Sequence, residues 1–164
     1  MSALHSYLIA LGSNQRHAHY GTPEEVLRHA SGAIGTNLGD VTAASRIIHS
    51  APVGPSTRRY ANAAVVVESD LAPPHMLEGL QLIECAFGRI RRGQRWQART
   101  LDCDIVLWSG GPCAAPDLII PHPLFRERSF VLGPAASIAP DWRDPITRLT
   151  LRQLDFRLRR SRPA

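Results

Sequence analysis

The order of apolar and polar residues along the chain predicts strands alternating with helices. The apolar run Tyr7–Leu11 leads into a Gly-Ser-Asn turn and is typical of a strand. Asp40–Ser50 and Tyr60–Glu68 have the pattern of two more strands, and the Pro/Gly-rich stretch APVGPSTRR separates them. Thr100–Trp108 has the pattern of a fourth strand.

Two helices are predicted between these strands. Thr22 is a suitable N-cap for the first, Pro23 suits its first position, and apolar residues follow at helical spacing. The second opens at Pro73-Pro74. The residues expected on the buried faces are Val26, Leu27, Ala30 and Ile34 in the first helix, and Met76, Leu80, Ile83 and Phe87 in the second. The order strand, helix, strand, strand, helix, strand predicts a ferredoxin-like α+β sandwich built on one antiparallel sheet.

The remainder of the chain predicts additions to this unit. A helical region is expected around Leu124–Ser137, with a break near Gly133-Pro134, and a short basic amphipathic helix from about Thr150. A chain of 164 residues is about the size of one domain, so residues 1–164 are expected to form a single domain.

The charge is carried in an unusual way. The net charge is +5, and all 19 basic residues are arginine, which excludes a P-loop lysine, a Schiff-base lysine and a lysine general base. The three cysteines lack metal-ligand spacing and are odd in number, so neither a zinc site nor a disulfide framework is predicted. The N-terminal apolar run is too short for a signal peptide, and we expect a cytoplasmic protein without a membrane partner.

The stretch RTLDCDIVLW places two acids in a strand. Successive side chains point to opposite faces, so Asp102 and Asp104 share one face with Val106 and Trp108. The opposite, apolar face is expected to hold Leu101, Cys103, Ile105 and Leu107. The two aspartate Cα atoms would lie roughly 6.5 Å apart, close enough for both carboxylates to bind Mg²⁺ together with substrate phosphates. Two such acids are also commonly solvated or paired with cations.

The residues before the acids favour the metal interpretation. Five arginines lie in the preceding loop, and Trp96 lies among them. Guanidinium groups bind phosphates, and an indole can stack on a base. Acids, arginines and an aromatic ring together predict a magnesium-nucleotide site.

With these motifs the sequence resembles the 6-hydroxymethyl-7,8-dihydropterin pyrophosphokinases of folate biosynthesis, which transfer pyrophosphate from ATP to a pterin hydroxymethyl group. The resemblance rests on LIALGSN, APVGP with YANAAV, QLIECAFGRIRRGQRW, RTLDCDIVLW, and PDLIIPHPLFRERSFVLGP with IAPDW, in this order. It implies that Asp102 and Asp104 bind two Mg²⁺ ions, and that ATP is the co-substrate.

The resemblance also implies roles for individual residues. Those matching ATP-contacting positions are Gln81, Glu84, Arg89, Arg91, Trp96, Arg99, Ile105, His122 and Arg128, of which Arg89 and Arg99 are also expected to act in catalysis. Those matching pterin-contacting positions are Ser50, Ala51, Val53, Tyr60, Asn62, Trp96 and Phe130. By spacing alone, Gln81 and Glu84 would be an exposed helix flank. The sequence departs from the common family pattern at Ala51, Gln97-Ala98, Cys103 and Ile119.

Two alternatives remain open at this level. One is a divergent Mg-ATP-dependent pyrophosphokinase with another hydroxyl acceptor. The other is a basic ferredoxin-like RNA-binding module, although the signature and the aromatic strand positions of an RRM are missing. The main interpretation expects a monomer that acts on ATP and hydroxymethyl-dihydropterin and binds no nucleic acid.

Overall fold

The computed structural model describes residues 3–51, 59–88 and 100–162. These ranges contain seven strands, four α-helices and one 3-10 turn. In chain order they are β1 (His5–Ser13), α1 (Pro23–Asn37), β2 (Asp40–Ala44), β3 (Ile48–Ser50), β4 (Tyr60–Ser69), α2 (Pro73–Ala86), β5 (Asp102–Trp108), β6 (Cys113–Ala115), β7 (Leu118–Ile120), the 3-10 turn (Phe125–Glu127), α3 (Ser129–Ile138) and α4 (Leu151–Arg160). Among them, no helix combines the length and the apolar character that a membrane span requires.

The main sheet is antiparallel and has the order β2-β4-β1-β5, with β3 also paired to β4. This confirms the predicted ferredoxin-like α+β class. The expected strand Asp40–Ser50 is in fact two strands. Ser45 interrupts it, because its Oγ accepts a hydrogen bond from the Ala64 amide at 2.9 Å while its own amide donates to the Ala64 carbonyl at 2.9 Å.

Two hydrophobic cores lie on opposite faces of this sheet. The first joins the sheet to α1 and α2, and Tyr7, Leu27 and Met76 are fully buried in it. The second joins the other face to α3 and α4, with Leu8, Leu132 and Leu151 fully buried. The C-terminal additions therefore cover the second face, which is the face that carries the site described below.

The predicted helix starts are confirmed. Thr22 caps α1 in a capping box, in which its Oγ1 accepts from the Glu25 amide and the Glu25 carboxylate accepts from the Thr22 amide. Thr150 caps α4 in the same way with Gln153. The apolar positions predicted for α1 and α2 are all buried.

The predicted alternation of β5 is correct through Val106 and wrong for Leu107 and Trp108. The pairing of β1 with β5 shifts between Leu8 and Ile9, which leaves one extra residue, Val106, in β5. Such a bulge reverses the side-chain directions that follow it. Leu107 therefore lies in the second core with Val106, and Trp108 packs against the first. The aspartates precede the bulge and keep the predicted face.

The predicted helix break at Gly133-Pro134 is also wrong. α3 continues through Pro134. The helical region is interrupted instead at Arg128, whose backbone is extended between the 3-10 turn and α3. Proline removes one amide donor from a helix, and its ring crowds the carbonyl four residues earlier. Pro134 is buried, as are Val131, Leu132 and Ala135, and this packing against the sheet stabilises the helix despite the missing bond.

Candidate active site

A cavity of about 250 Å³ lies between the second face of the sheet and the start of α3. Its floor consists of directly paired residues of three strands. Gly12 of β1 pairs with Asn62 of β4 on one side and with Asp102 of β5 on the other. In the next row Ala10 lies between Ala64 and Asp104. Because directly paired residues share a face, the amide and both carboxylates project on the same side of the sheet. The residues lining the cavity are Ala10, Leu11, Gly12, Ser50, Tyr60, Asn62, Asp102, Asp104, Arg128, Phe130 and Val131.

The small residues of the central strand keep this floor open. A Cβ atom added to Gly12 would lie 3.6 Å from Asn62 Oδ1 and 3.8 Å from Tyr60 Cδ1. These are ordinary van der Waals distances, so a methyl group fits there without a clash but occupies space between the amide and the acids. The glycine thus supplies room for a ligand.

At one end of the cavity, the side-chain amide of Asn62 is held in a defined orientation. Asn62 is only 4% exposed. Its Nδ2 donates a hydrogen bond to Ser50 Oγ at 2.8 Å. Ser50 reaches this position because β3 pairs with β4, placing Ser50 opposite Tyr60. The Tyr60 and Phe130 rings line the same cavity, which suits a flat heterocycle that presents a polar edge to the amide.

The acidic end has a donor set that fits Mg²⁺. Asp102 and Asp104 are both half-buried and line the cavity together. Within the described ranges, no group of three or more His, Cys, Asp and Glu side chains is placed to hold a metal ion. A pair of hard carboxylate ligands is nevertheless what Mg²⁺ uses when substrate phosphates and water complete its coordination.

Arg128 lines the opposite wall of the cavity, and His122 lies near enough for the charges of Arg128 and Asp102 to shift its pKa. The guanidinium carbon of Arg128 lies 5.8 Å from the centroid of the Phe130 ring, at the N-terminus of α3. Burial lowers the pKa of His122, the charge of Arg128 lowers it further, and the Asp102 carboxylate opposes both. The His122 Nδ1 accepts from the Leu124 amide at 3.1 Å. The neutral ring therefore carries its proton on Nε2, which leaves that atom as a hydrogen-bond donor.

Comparison with known proteins identifies the family to which this arrangement belongs. A family model described as 7,8-dihydro-6-hydroxymethylpterin-pyrophosphokinase (HPPK) matches residues 8–140. The chain belongs to the HPPK family.

Relatives named 2-amino-4-hydroxy-6-hydroxymethyldihydropteridine pyrophosphokinase support the assignment. One from Pseudomonas aeruginosa is 38% identical over 140 residues, covering 84% of this chain and 82% of the relative. One from Bacillus subtilis is 39% identical over 132 residues, covering 79% of this chain and 75% of the relative. One from Synechocystis sp. is 44% identical over 101 residues, which is 62% of this chain. The match spans only 51% of the Synechocystis protein.

Solved structures support the same fold. The wild-type HPPK-DHPS of Plasmodium falciparum superposes with a TM-score of 0.75 and 14% sequence identity. The superposition covers 96% of this chain and 45% of the Plasmodium chain. At this identity the likeness establishes the HPPK-type fold alone.

The structure gathers seven of the residues expected from the HPPK resemblance around the cavity. They are Ser50, Tyr60, Asn62, Asp102, Asp104, Arg128 and Phe130. His122 does not line the cavity, but it is close enough for the charges of Asp102 and Arg128 to shift its pKa. Ala51 is exposed and lines a neighbouring groove.

Other expected residues lie elsewhere. Ile105 belongs to the core on the first face. Gln81 is half-buried on α2, and Glu84 is 2% exposed, so the exposed flank that spacing alone predicts is wrong for Glu84. The expected residues Val53, Arg89, Arg91, Trp96 and Arg99 lie outside the described residues.

The residues that depart from the HPPK pattern lie both in the core and at the surface. Cys103 is 4% exposed and packs in the first core, where its small apolar side chain replaces an aliphatic one. Ile119 is 59% exposed. Gln97 and Ala98 lie outside the described residues.

Sequence reasoning missed the small residues of the floor, Ala10 and Gly12. The LIALGSN motif contains both, but nothing local shows which strand residues lie opposite them. Their role depends on the register of β1 with β4 and β5. Val131 was missed for a similar reason, because its place in the cavity depends on where α3 begins.

Proposed function

We propose that this protein transfers pyrophosphate from ATP to the hydroxymethyl group of 6-hydroxymethyl-7,8-dihydropterin, giving AMP and the pterin diphosphate. The observation that carries the proposal is one cavity with an amide and two aromatic rings at one end and two carboxylates at the other. Membership in the HPPK family and the names of the relatives support it.

The amide end is the proposed pterin site. Tyr60 and Phe130 contact the faces of the bicyclic ring, and Asn62 binds its polar edge. The cavity of about 250 Å³ is close to the lower end of the range for small-molecule sites, roughly 300 Å³. This size favours a small heterocycle. The hydroxymethyl group then points toward Asp102 and Asp104.

The acidic end is the proposed phosphate site. Asp102 and Asp104 would hold two Mg²⁺ ions, which supply charge neutralisation on the ATP phosphates and lower the pKa of the attacking hydroxyl. Arg128 and the Nε2–H of His122 donate hydrogen bonds to phosphate oxygens. By family resemblance, Arg89, Arg91 and Arg99 also contact phosphate. Gln81, Glu84 and Ile105 contribute to binding the nucleotide, and the loop around Trp96 closes over it.

The proposed step is a single in-line displacement. The hydroxymethyl oxygen forms a bond to the β-phosphorus of ATP, the bond from that phosphorus to the oxygen shared with the α-phosphate breaks, and AMP leaves. The hydroxyl proton passes to solvent. The protein contributes by positioning the two substrates and by donating hydrogen bonds to the phosphates, which are the main sources of catalysis in phosphoryl transfer.

The remaining expectations belong to the same proposal. Residues 1–164 act as one pyrophosphokinase domain. The protein is a cytoplasmic monomer, its partners are its two small-molecule substrates, and neither nucleic acid nor membrane is required.

A panel of hydroxyl acceptors tests the proposal. The purified protein is mixed with Mg-ATP and each acceptor in turn, and AMP release is followed by chromatography. We expect AMP and pterin diphosphate in equal amounts with 6-hydroxymethyl-7,8-dihydropterin, and none without magnesium. AMP release with another acceptor alone would favour a divergent pyrophosphokinase. Salt-sensitive oligonucleotide binding without AMP release would favour an RNA-binding module.

A further inference from the structure

A second groove lies beside an open edge of the main sheet and meets the candidate active site only at Ser50 and Phe130. Its volume is about 810 Å³, and it runs between β3 on one side and the helices α3 and α4 on the other. Within the described ranges β3 pairs with β4 alone, so the outer side of β3 is an edge. Alternate residues of an edge strand direct their amide and carbonyl groups away from the paired strand. The groove is therefore bordered by backbone groups that can bond to an extended chain.

Apolar side chains supply part of the groove surface. Ile48 of β3 is 37% exposed, and Pro134 and Ile138 of α3 line the same groove. Apolar contact with arginine close to it is the composition typical of surfaces that bind other proteins.

The charged side chains of the groove are mostly cationic. Arg46, Arg159 and Arg162 are exposed and line it. Asp155 is the only acid among the described residues that line it, and this acid already pairs with Arg159, Nε to Oδ2, at 3.0 Å. Arg46 and Arg162 form no ion pair within the described part of the chain. Two guanidinium groups are thus available to the carboxylates of a partner.

The same charges argue against two other occupants. A second copy of this chain offers little acidic surface, because 19 arginines stand against 14 acids and the only adjacent acids, Glu24 and Glu25, lie in α1. A single-stranded nucleic acid stacks its bases on several aromatic rings. The described residues that line the groove include one phenyl ring, that of Phe130.

We propose that this groove is a docking site for an extended acidic segment of a partner protein. The segment lies along β3, forms backbone hydrogen bonds with its open edge, and places carboxylates against Arg46 and Arg162. This mode of binding adds one strand to an existing sheet. The docking site is independent of the proposed function, and it adds a protein partner to the two substrates.

A fluorescent octapeptide of alternating glutamate and valine is the probe, since valine suits a strand and glutamate supplies the carboxylates. An octapeptide with lysine in place of glutamate is the comparison. Binding to the full-length protein is measured by fluorescence anisotropy. We expect the glutamate peptide to bind at least about tenfold more tightly than the lysine peptide, and its affinity to fall as salt is added.

Two double variants with the same change in charge test the position of the site. Arg46→Glu with Arg162→Glu reverses two charges of the groove and should weaken binding of the glutamate peptide roughly tenfold or more. Arg152→Glu with Arg157→Glu is the matched control, because both side chains are exposed on α4 and neither lines the groove. It should change the affinity by less than about twofold. Circular dichroism checks that both variants fold.

Amide hydrogen exchange shows where the peptide lies. Saturating glutamate peptide should slow the exchange of the outward amides of β3 roughly tenfold and leave α1 unchanged. Equal weakening in the two double variants would overturn the proposal, as would unchanged exchange in β3. Tighter binding of a thymidine octanucleotide than of the peptide would identify a nucleic-acid surface instead. A dimer in analytical ultracentrifugation that Arg46→Glu with Arg162→Glu abolishes would show that a second copy occupies the groove, which also contradicts the proposal.

Discussion

Two groups of arginine and aspartate lie on the same side of the sheet, one closed and one open. In the closed group Asp144 is fully buried, and its carboxylate accepts from Arg126 Nε at 2.6 Å and from Arg126 Nη2 at 2.8 Å. It also accepts from the Ile146 amide at 3.0 Å and from Thr147 Oγ1 at 2.8 Å. In the open group Arg128, Asp102 and Asp104 line the cavity.

The difference lies in what completes each group. Asp144 is surrounded by donors from its own chain, so the cluster ties the 3-10 turn to the loop that precedes α4 without any ligand. Arg128 is only two residues from Arg126, yet it faces a cavity shared with two acids. The same pair of residue types therefore stabilises the fold in one place and lines the candidate binding cavity in the other.

The largest effect is expected from a substitution in the open group. Asp102→Ala should lower the turnover of ATP and hydroxymethyl-dihydropterin by about 10³-fold, the size of effect that follows the loss of one catalytic electrostatic group. The free energy of unfolding should change little, because the substitution also relieves repulsion from Asp104. Rapid-quench AMP assays and urea unfolding measure the two quantities. Near-normal AMP release would contradict the assignment of the acidic end.

The second largest effect is expected from a substitution in the closed group. Asp144→Ala should lower the free energy of unfolding by about 2–3 kcal/mol, somewhat less than the roughly 3–5 kcal/mol for a fully buried broken pair, because Arg126 is partly exposed. The Michaelis constants of the folded protein should be unchanged. The matched control is the double variant Arg126→Met with Asp144→Leu, which removes both charges and should recover part of the loss. A double variant less stable than Asp144→Ala would contradict this explanation.

A third substitution sharpens the comparison by filling the floor of the open group. Gly12→Ala adds a methyl group at ordinary contact distance from Asn62 and Tyr60. It should lower the affinity for the pterin roughly tenfold, because the methyl group occupies space that the ligand needs. The affinity for ATP should be unchanged. Calorimetry with each ligand measures this. Gly32→Ala in α1, where the added Cβ meets nothing within 4 Å, is the control for stability and should bind pterin normally.

Much of the fold follows from local pattern, because helix caps and periodicity are properties of neighbouring residues. Thr22, Pro23 and the stripe from Val26 to Ile34 predicted α1 correctly. The errors occur where distant segments decide. The Ser45 interruption and the Val106 bulge depend on β4 and β1, respectively. Pro134 remains helical because α3 packs on the sheet.

In the candidate site, too, some residues follow from sequence pattern and others depend on contacts between distant segments. Alternation alone placed Asp102 and Asp104 on one face, and the family resemblance added Asn62, Tyr60 and Arg128, which also line the cavity. Neither pattern indicated that Gly12 lies between the amide and an acid, because that is a matter of strand register. Nor did the motif FRER show that Arg126 pairs with Asp144 and Arg128 does not, since the partner lies 18 residues further on.

The smallest expected effect is a pH dependence confined to the closed group. Burial tends to raise the pKa of Asp144, but hydrogen bonds from Arg126, the Ile146 amide and Thr147 outweigh it and hold the pKa below its usual value. The unfolded chain therefore takes up the proton at a higher pH than the folded protein. The resulting stability is complete above the unfolded pKa of about 4 and is lost as the pH falls through the lower, folded value. Urea unfolding at pH 7, 4 and 3 should show the advantage of the wild-type protein over Asp144→Asn shrinking with acidification. A constant difference across this range would show that the charge of Asp144 does not stabilise the cluster.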